Sequence, residues 1–290
     1  MVDEGLLSWL RLLLPWEPLW PLIAAFILVL AIYLRGLGRR TQLSDIPGAL
    51  GFLTGLAMMY AVMQTHFDYL AQYMFFVHRG QHLVLHHVGP FLIALSAPSA
   101  VLAAGSPNWL RTAWQRLAGS LPARAIYRVV QQPVIAGLLF VCLIYFWLIP
   151  SVHFEAMLSA RYYWVMNLSM AIDGLLFWWL MLDPRPPGAT PVTRSIGVRI
   201  MVLCAVMPPQ IVLGAWIALS RDILFDVYAV CGRAWPIPPM LDQQLGGLLT
   251  WIPAAMMSVL ATLALLRLLF RYERAQRTVT DSSLATTEAT

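Results

Sequence analysis

The stretch FFVHRGQHLVLHHVGPFLIAL, Phe75 to Leu95, holds four of the chain's six histidines together with Arg79. Most of the residues around them are apolar, enough to fill much of a bilayer span. Ionisable groups are rare and costly at that depth, and where they persist they mark function. This one segment therefore decides the fold and poses the functional question.

The rest of the sequence agrees with a membrane reading. Of 290 residues, 60% are hydrophobic and only 11% charged, and the mean hydropathy is +0.70. Soluble domains carry about 25% charged residues, so the composition indicates an all-α, polytopic membrane bundle. The net charge of +5 comes from arginine alone, because the chain has no lysine. Those arginines lie between apolar runs, a pattern of membrane topology rather than of nucleic-acid binding. Cys142, Cys204 and Cys231 form no closely spaced pair, which argues against a disulfide framework and a thiol-based metal carrier. Cys142 and Cys204 are expected to be small packing residues.

A span needs roughly 20 mostly apolar residues. Seven runs qualify, at about 20–36, 47–64, 70–97, 132–150, 162–182, 197–219 and 246–269. With the N-terminus outside and the C-terminus in the cytoplasm, fourteen arginines fall on the cytoplasmic side. Arg11, Arg161, Arg221 and Arg233 fall outside, and Arg79 within the membrane, which accounts for all nineteen. That asymmetry predicts seven spans in this orientation. Residues 1–19 read as an interfacial segment, with Trp9, Trp16 and Trp20 as headgroup anchors and no signal-peptide cleavage site. Residues 20–270 form the transmembrane domain, and 271–290 a polar cytoplasmic tail without fixed structure. The inner loop of 98–131 fits an amphipathic surface helix carrying Trp109 and Trp114. Pro90 predicts a kink in the third span.

At 100° per residue, His78, His82 and His86 fall on one stripe, with Met74 and Gln81 beside it. A His pair at i,i+4 is the spacing by which one helix face offers two imidazoles to one metal ion. Two readings stay open: metal or proton chemistry, and hydrogen bonding between helices. His87 points the other way and reads as structural. Arg79 and Asp173 lie at similar depths, about 13 Å and 15 Å from the outer ends of their spans, which predicts an intramembrane ion pair. His66, Asp68, His153 and Glu155 are candidates at the outer surface, where Asp222, Asp226 and Asp242 also lie. Met58, Met59, Met63, Met166, Met170 and Met207 cluster toward the outer halves of their spans. Thioethers favour Cu(I), and methionine is equally an ordinary core residue.

Asp68 to Pro98 resembles the CtaG-like cytochrome c oxidase assembly factors, the seven-span type and not the single-span copper chaperone sharing that name. The family's signature is a His, two residues, then Gln-His and a later Pro; here these are His78, Gln81, His82 and Pro90. GLLFWWLMLDP (Gly174 to Pro184) is similar to the fifth-span motif, and DQQLGGLLTW (Asp242 to Trp251) to the motif opening the last span. The resemblance covers about residues 45–270 and supports Gln81, Asp242 and Gln243 as motif positions. The chain departs from the family pattern at three places, one being His86 and His87, which stand where relatives are usually apolar. The common Trp-His-x-Pro is Trp147-Leu148-Ile149-Pro150 here, and a common Glu-His pair is Met166-Asn167.

The resemblance implies a non-enzymatic factor in the bacterial inner membrane that helps a haem-copper oxidase mature at its outer-facing copper centre. Copper is the implied cofactor, with His78 and His82 as leading ligands and His86 and Met74 as further ones. Oxidase subunits or copper chaperones are the implied partners, besides membrane lipid and with no nucleic acid. A bound haem is not expected, because every intramembrane histidine lies on one span whereas two-helix ligation draws on facing spans. The alternative is a copper or proton transporter built on the histidine stripe.

Overall fold

The computed structural model describes residues 17–39 and 46–288, with side chains to residue 274. Trp9, Trp16 and the interfacial segment before residue 17 lie outside the described residues, as do Arg11 and Arg40. All regular structure among the described residues is helical. The first part of the chain forms α1 (Trp20–Leu37), α2 (Ile46–Gln64), α3 (His66–Tyr73), α4 (Phe75–Leu83), a π turn (Val84–Val88) and α5 (Gly89–Leu95). Next come α6 (Ser99–Gly105), α7 (Asn108–Gly119), α8 (Leu121–Val130), α9 (Pro133–Trp147) and α10 (Pro150–Leu158). The remainder is α11 (Ala160–Met181), α12 (Ile196–Leu219), α13 (Val227–Val230) and α14 (Pro239–Glu288).

Five of these helices, α1, α2, α11, α12 and α14, are long and apolar enough to cross a bilayer. Two bent pairs raise the number of candidate spans to as many as seven. In one, α5 turns into α6 by 76°; in the other, α8 turns into α9 by 73°. The starts are written in the sequence. Pro133 and Pro150 sit in the first turns of α9 and α10, where a missing N–H costs nothing. Gln132 caps α9 by accepting from the N–H of Ile135 at 2.7 Å, and Ser195 caps α12 through Val198.

The expected third span is broken in three places rather than kinked once. Met74 is extended (φ −142°, ψ 124°) and separates α3 from α4. The π turn follows α4, and Ala97 adopts a left-handed conformation (φ 46°) at the bend before α6. Proline at 90 explains the second break. It has no N–H to offer the carbonyl of His86, one turn earlier. Trp178 on α11 donates its indole N–H to that carbonyl instead, at 3.0 Å. Gly174 allows the approach: a Cβ there would lie 2.6 Å from the same oxygen.

α7 leaves Trp109 and Trp114 each 67% exposed and buries no side chain, as a surface-lying amphipathic helix does. Cys142 and Cys204 point outward and not into the core. The last helix continues past residue 271 to Glu288, where an irregular tail was expected. One apolar cluster centres on Phe140, Phe177 and Trp178, beside the π turn. A second, around Phe75, Tyr163, Met166 and Tyr228, encloses the histidines of α4.

Candidate functional site

α4 begins without a cap of its own, since the extended Met74 offers no side-chain oxygen to the first N–H groups. Asp242 on α14 supplies one. Phe75 and Phe76 donate their N–H groups to its carboxylate at 3.0 and 2.8 Å, and Arg233 pairs with the same carboxylate. An anion at a helix N-terminus complements the aligned peptide dipoles. The start of α4 is thus pinned one turn before His78. Gln243 holds the adjoining loop, accepting from the N–H of Leu224 at 2.6 Å and donating to the carbonyl of Asp222 at 3.0 Å.

Within α4, Nε2 of His78 lies 3.0 Å from Nε2 of His82. The surrounding contacts fix which nitrogen carries each proton. Arg79 places Nη1 3.2 Å from Nδ1 of His82, and a guanidinium can only donate. Nδ1 of His82 therefore accepts, and its ring proton sits on Nε2. That proton faces Nε2 of His78 and, at 3.1 Å, Oδ1 of Asn167. His78 accepts at Nε2 and donates from Nδ1 to the Tyr228 hydroxyl at 2.9 Å. Tyr228 donates to Nε2 of His153 at 3.0 Å, and His153 donates from Nδ1 to the Trp147 carbonyl at 3.1 Å.

The series begins on a group that only donates and ends on one that only accepts, so every bond runs in one direction. His78, Arg79, His82, His153, Asn167 and Tyr228 are all buried. Burial lowers His153 to about 3, which keeps that imidazole neutral. Arg79 is itself anchored by donating from Nε to the Thr250 hydroxyl at 3.0 Å.

A second arm reaches Asp68, on α3. Its carboxylate accepts from Gln81 at 2.7 Å, from Tyr163 at 2.8 Å and from Gln72 at 3.1 Å. Burial nevertheless pushes the carboxyl up to about 6. Gln81 also donates to the carbonyl of Val62 at 2.7 Å, which ties α2 to α4.

Several expectations need correction. Arg79 and Asp173 do not pair: Asp173 meets Nε2 of His86 at 2.9 Å, while Arg79 meets His82 and Thr250. Equal depth fixes height along the bundle and leaves the angle around each helix open. His86 also leaves the His78–His82 stripe, because the π turn interrupts the 100° advance on which the stripe depends. It stacks on Phe140, with ring centroids 4.0 Å apart.

Met74 packs with Ala71 and Val77, away from the pair. Glu155 is exposed, and His66 rests its ring on Tyr69 at 5.2 Å. Asp68 and His153, expected at the surface, are instead buried within it. Tyr228, Tyr163, Thr250 and Asn167 were not singled out as site residues. Only Asn167 carried a signal, standing where the resembling family has a histidine.

The copper reading needs free imidazole lone pairs converging on one ion. His82 has none to offer, since Nδ1 accepts from Arg79 and Nε2 carries the proton. Two nitrogens about 2.0 Å from one tetrahedral ion would lie roughly 3.3 Å apart, wider than the 3.0 Å observed. A guanidinium would also sit beside the ion. No group of three or more His, Cys, Asp or Glu residues that could hold a metal occurs among the described residues. Copper does not fit the pair in this arrangement.

Residues 31–272 match the family model described as cytochrome c oxidase caa3 assembly factor (Caa3_CtaG). Two curated relatives are the uncharacterized protein Mb0105 of Mycobacterium bovis and the uncharacterized protein MT0111 of Mycobacterium tuberculosis. Each is 28% identical over 271 residues, 87% of this chain. The chain spans 39% of the length of each of these relatives. No solved structure matches.

Proposed function

The chain belongs to the cytochrome c oxidase caa3 assembly factor family, and from that premise we propose a non-enzymatic role in maturing the copper centre of a haem-copper oxidase. The protein sits as a multi-pass bundle in the bacterial inner membrane, N-terminus outside and C-terminus in the cytoplasm, as the arginine asymmetry supports. Its partners are oxidase subunits or copper chaperones, met at the outer end, where α3, α10 and α13 gather around the buried network.

One observation carries this reading: the one-way series Arg79–His82–His78–Tyr228–His153, which joins α4, α10 and α13. It holds the family-motif pair as a hydrogen-bonded hub, and copper passes to the client without residing on that pair. A transporter is less well supported. The void lined by Arg79, His82, His86 and His87 has a volume of about 10 Å³, on the scale of a single water.

Replacing both His78 and His82 by alanine tests the reading. Oxidase activity falls while the amount of this protein in the membrane is retained, and His87→Ala lowers abundance with little loss per molecule. Full oxidase assembly in the double variant would sink the hub. Stoichiometric copper in purified protein that disappears in His82→Ala would sink the proposal that the pair carries none.

A further inference from the structure

At the end of the bundle away from the histidine network, a cleft of about 580 Å³ opens between α2, the end of α5 and α14. Its walls are apolar, formed by residues such as Leu92, Leu95, Leu265 and Leu268, and it has Arg267 and Arg271 among its lining residues. The two arginines stand four residues apart, on one face of α14. Both are exposed, and neither has a carboxylate partner among the described residues. The nearby acidic group Asp183 is already taken by Arg185 and by the hydroxyl of Thr193.

A site of this size falls within the roughly 300–1,000 Å³ typical of ligand pockets. Two unpaired guanidiniums suit a phosphodiester, because their forked donors match phosphate oxygens. The apolar wall beneath them suits a hydrocarbon chain and offers little to a soluble anion. We infer that this cleft is a binding site for one anionic phospholipid, its phosphate on Arg267 and Arg271 and an acyl chain along α2 and α5. The site is independent of the histidine network and of the assembly role. Basic pockets between membrane helices take anionic headgroups by the same physics.

Gly51 lines the cleft and offers a way to fill it. A Cβ there would meet the Leu92 carbonyl at 3.6 Å and the Ser96 Cβ at 3.8 Å, ordinary contacts. A Cβ is therefore accommodated at this position, and the longer side chain of Gly51→Leu is expected to occupy the space that the chain would use.

The test is native mass spectrometry of the purified full-length chain, after exposure to phosphatidylglycerol or phosphatidylcholine in detergent. The wild type retains one phosphatidylglycerol at least tenfold better than phosphatidylcholine. Arg267→Gln/Arg271→Gln abolishes the preference, and Gly51→Leu lowers retention of both lipids with the arginines in place. Equal retention of the two lipids by the wild type overturns the inference. So does unchanged phosphatidylglycerol retention in the arginine variant, or its displacement by millimolar inorganic phosphate, which would make the cleft a soluble-anion site.

Discussion

Arg79 faces Nδ1 of His82 at 3.2 Å, and this contact sets the direction of every hydrogen bond as far as Trp147. Because a guanidinium has no acceptor, the proton of His82 is confined to Nε2 and that of His78 to Nδ1. Solid-state NMR of ¹⁵N-labelled histidine should show an unprotonated Nδ1 in His82 and an unprotonated Nε2 in His78. Arg79→Met removes the constraint and should let the His82 tautomers mix. The opposite tautomer in the wild type would mean that Arg79 does not govern the series.

Trp178 makes good the hydrogen bond that Pro90 removes. Trp178→Phe should cost about 2–3 kcal/mol, from an unsatisfied buried carbonyl and a smaller ring in the core. Pro90→Ala restores the N–H one turn after His86, so the same substitution should cost measurably less in that background. Thermal unfolding in detergent of all four proteins gives the coupling directly. Strictly additive losses would separate the two residues.

Asp242 carries the start of α4 and the Arg233 pair on one carboxylate. Asp242→Asn keeps the shape and loses the charge, and should cost about 2 kcal/mol, the range for hydrogen bonds to an ionised partner. Arg233→Gln, on a more exposed side chain, should cost less. A larger loss for Arg233→Gln would place the main role of Asp242 in the ion pair and not in capping α4.

What the sequence made legible was whatever depends on length and period. Each apolar run expected as a span lies on a helix or a bent pair, and the aromatic loop before α9 forms exposed amphipathic helices. Rotation about each helix was not legible. The Arg79–Asp173 expectation used depth alone, and the three-histidine stripe assumed an unbroken helix through Val84–Val88. Tyr228 was hidden for another reason: it sits on the four-residue α13, in a loop whose path depends on tertiary packing. His153 and Asp68 looked solvent-exposed because burial outside the spans leaves no periodic trace. The proposed hub is therefore half readable: its α4 members and His153 on α10 were apparent as candidates, whereas Asn167 on α11 and Tyr228 on α13 were not.

Asp68 should make stability depend on pH in a way its removal exposes. Its carboxyl is raised from 3.8 to about 6, by burial against the lowering effect of Tyr163, Gln81 and Gln72, with Glu17 adding to the rise. The folded value exceeds the unfolded one, so the folded chain holds this proton more tightly. The contribution is complete below pH 4 and is lost as pH rises through 6. Asp68→Asn cannot lose it, and should gain on the wild type by up to about 3 kcal/mol between pH 4 and 7. His153, lowered to about 3, opposes this trend in both proteins, so the difference between them isolates Asp68. Denaturation in detergent at pH 4.5, 5.5 and 7 measures that difference. A gap constant across the range would mean that the carboxyl titrates as it does in water, and that the Asp68–Tyr163–Gln81 cluster is open to solvent.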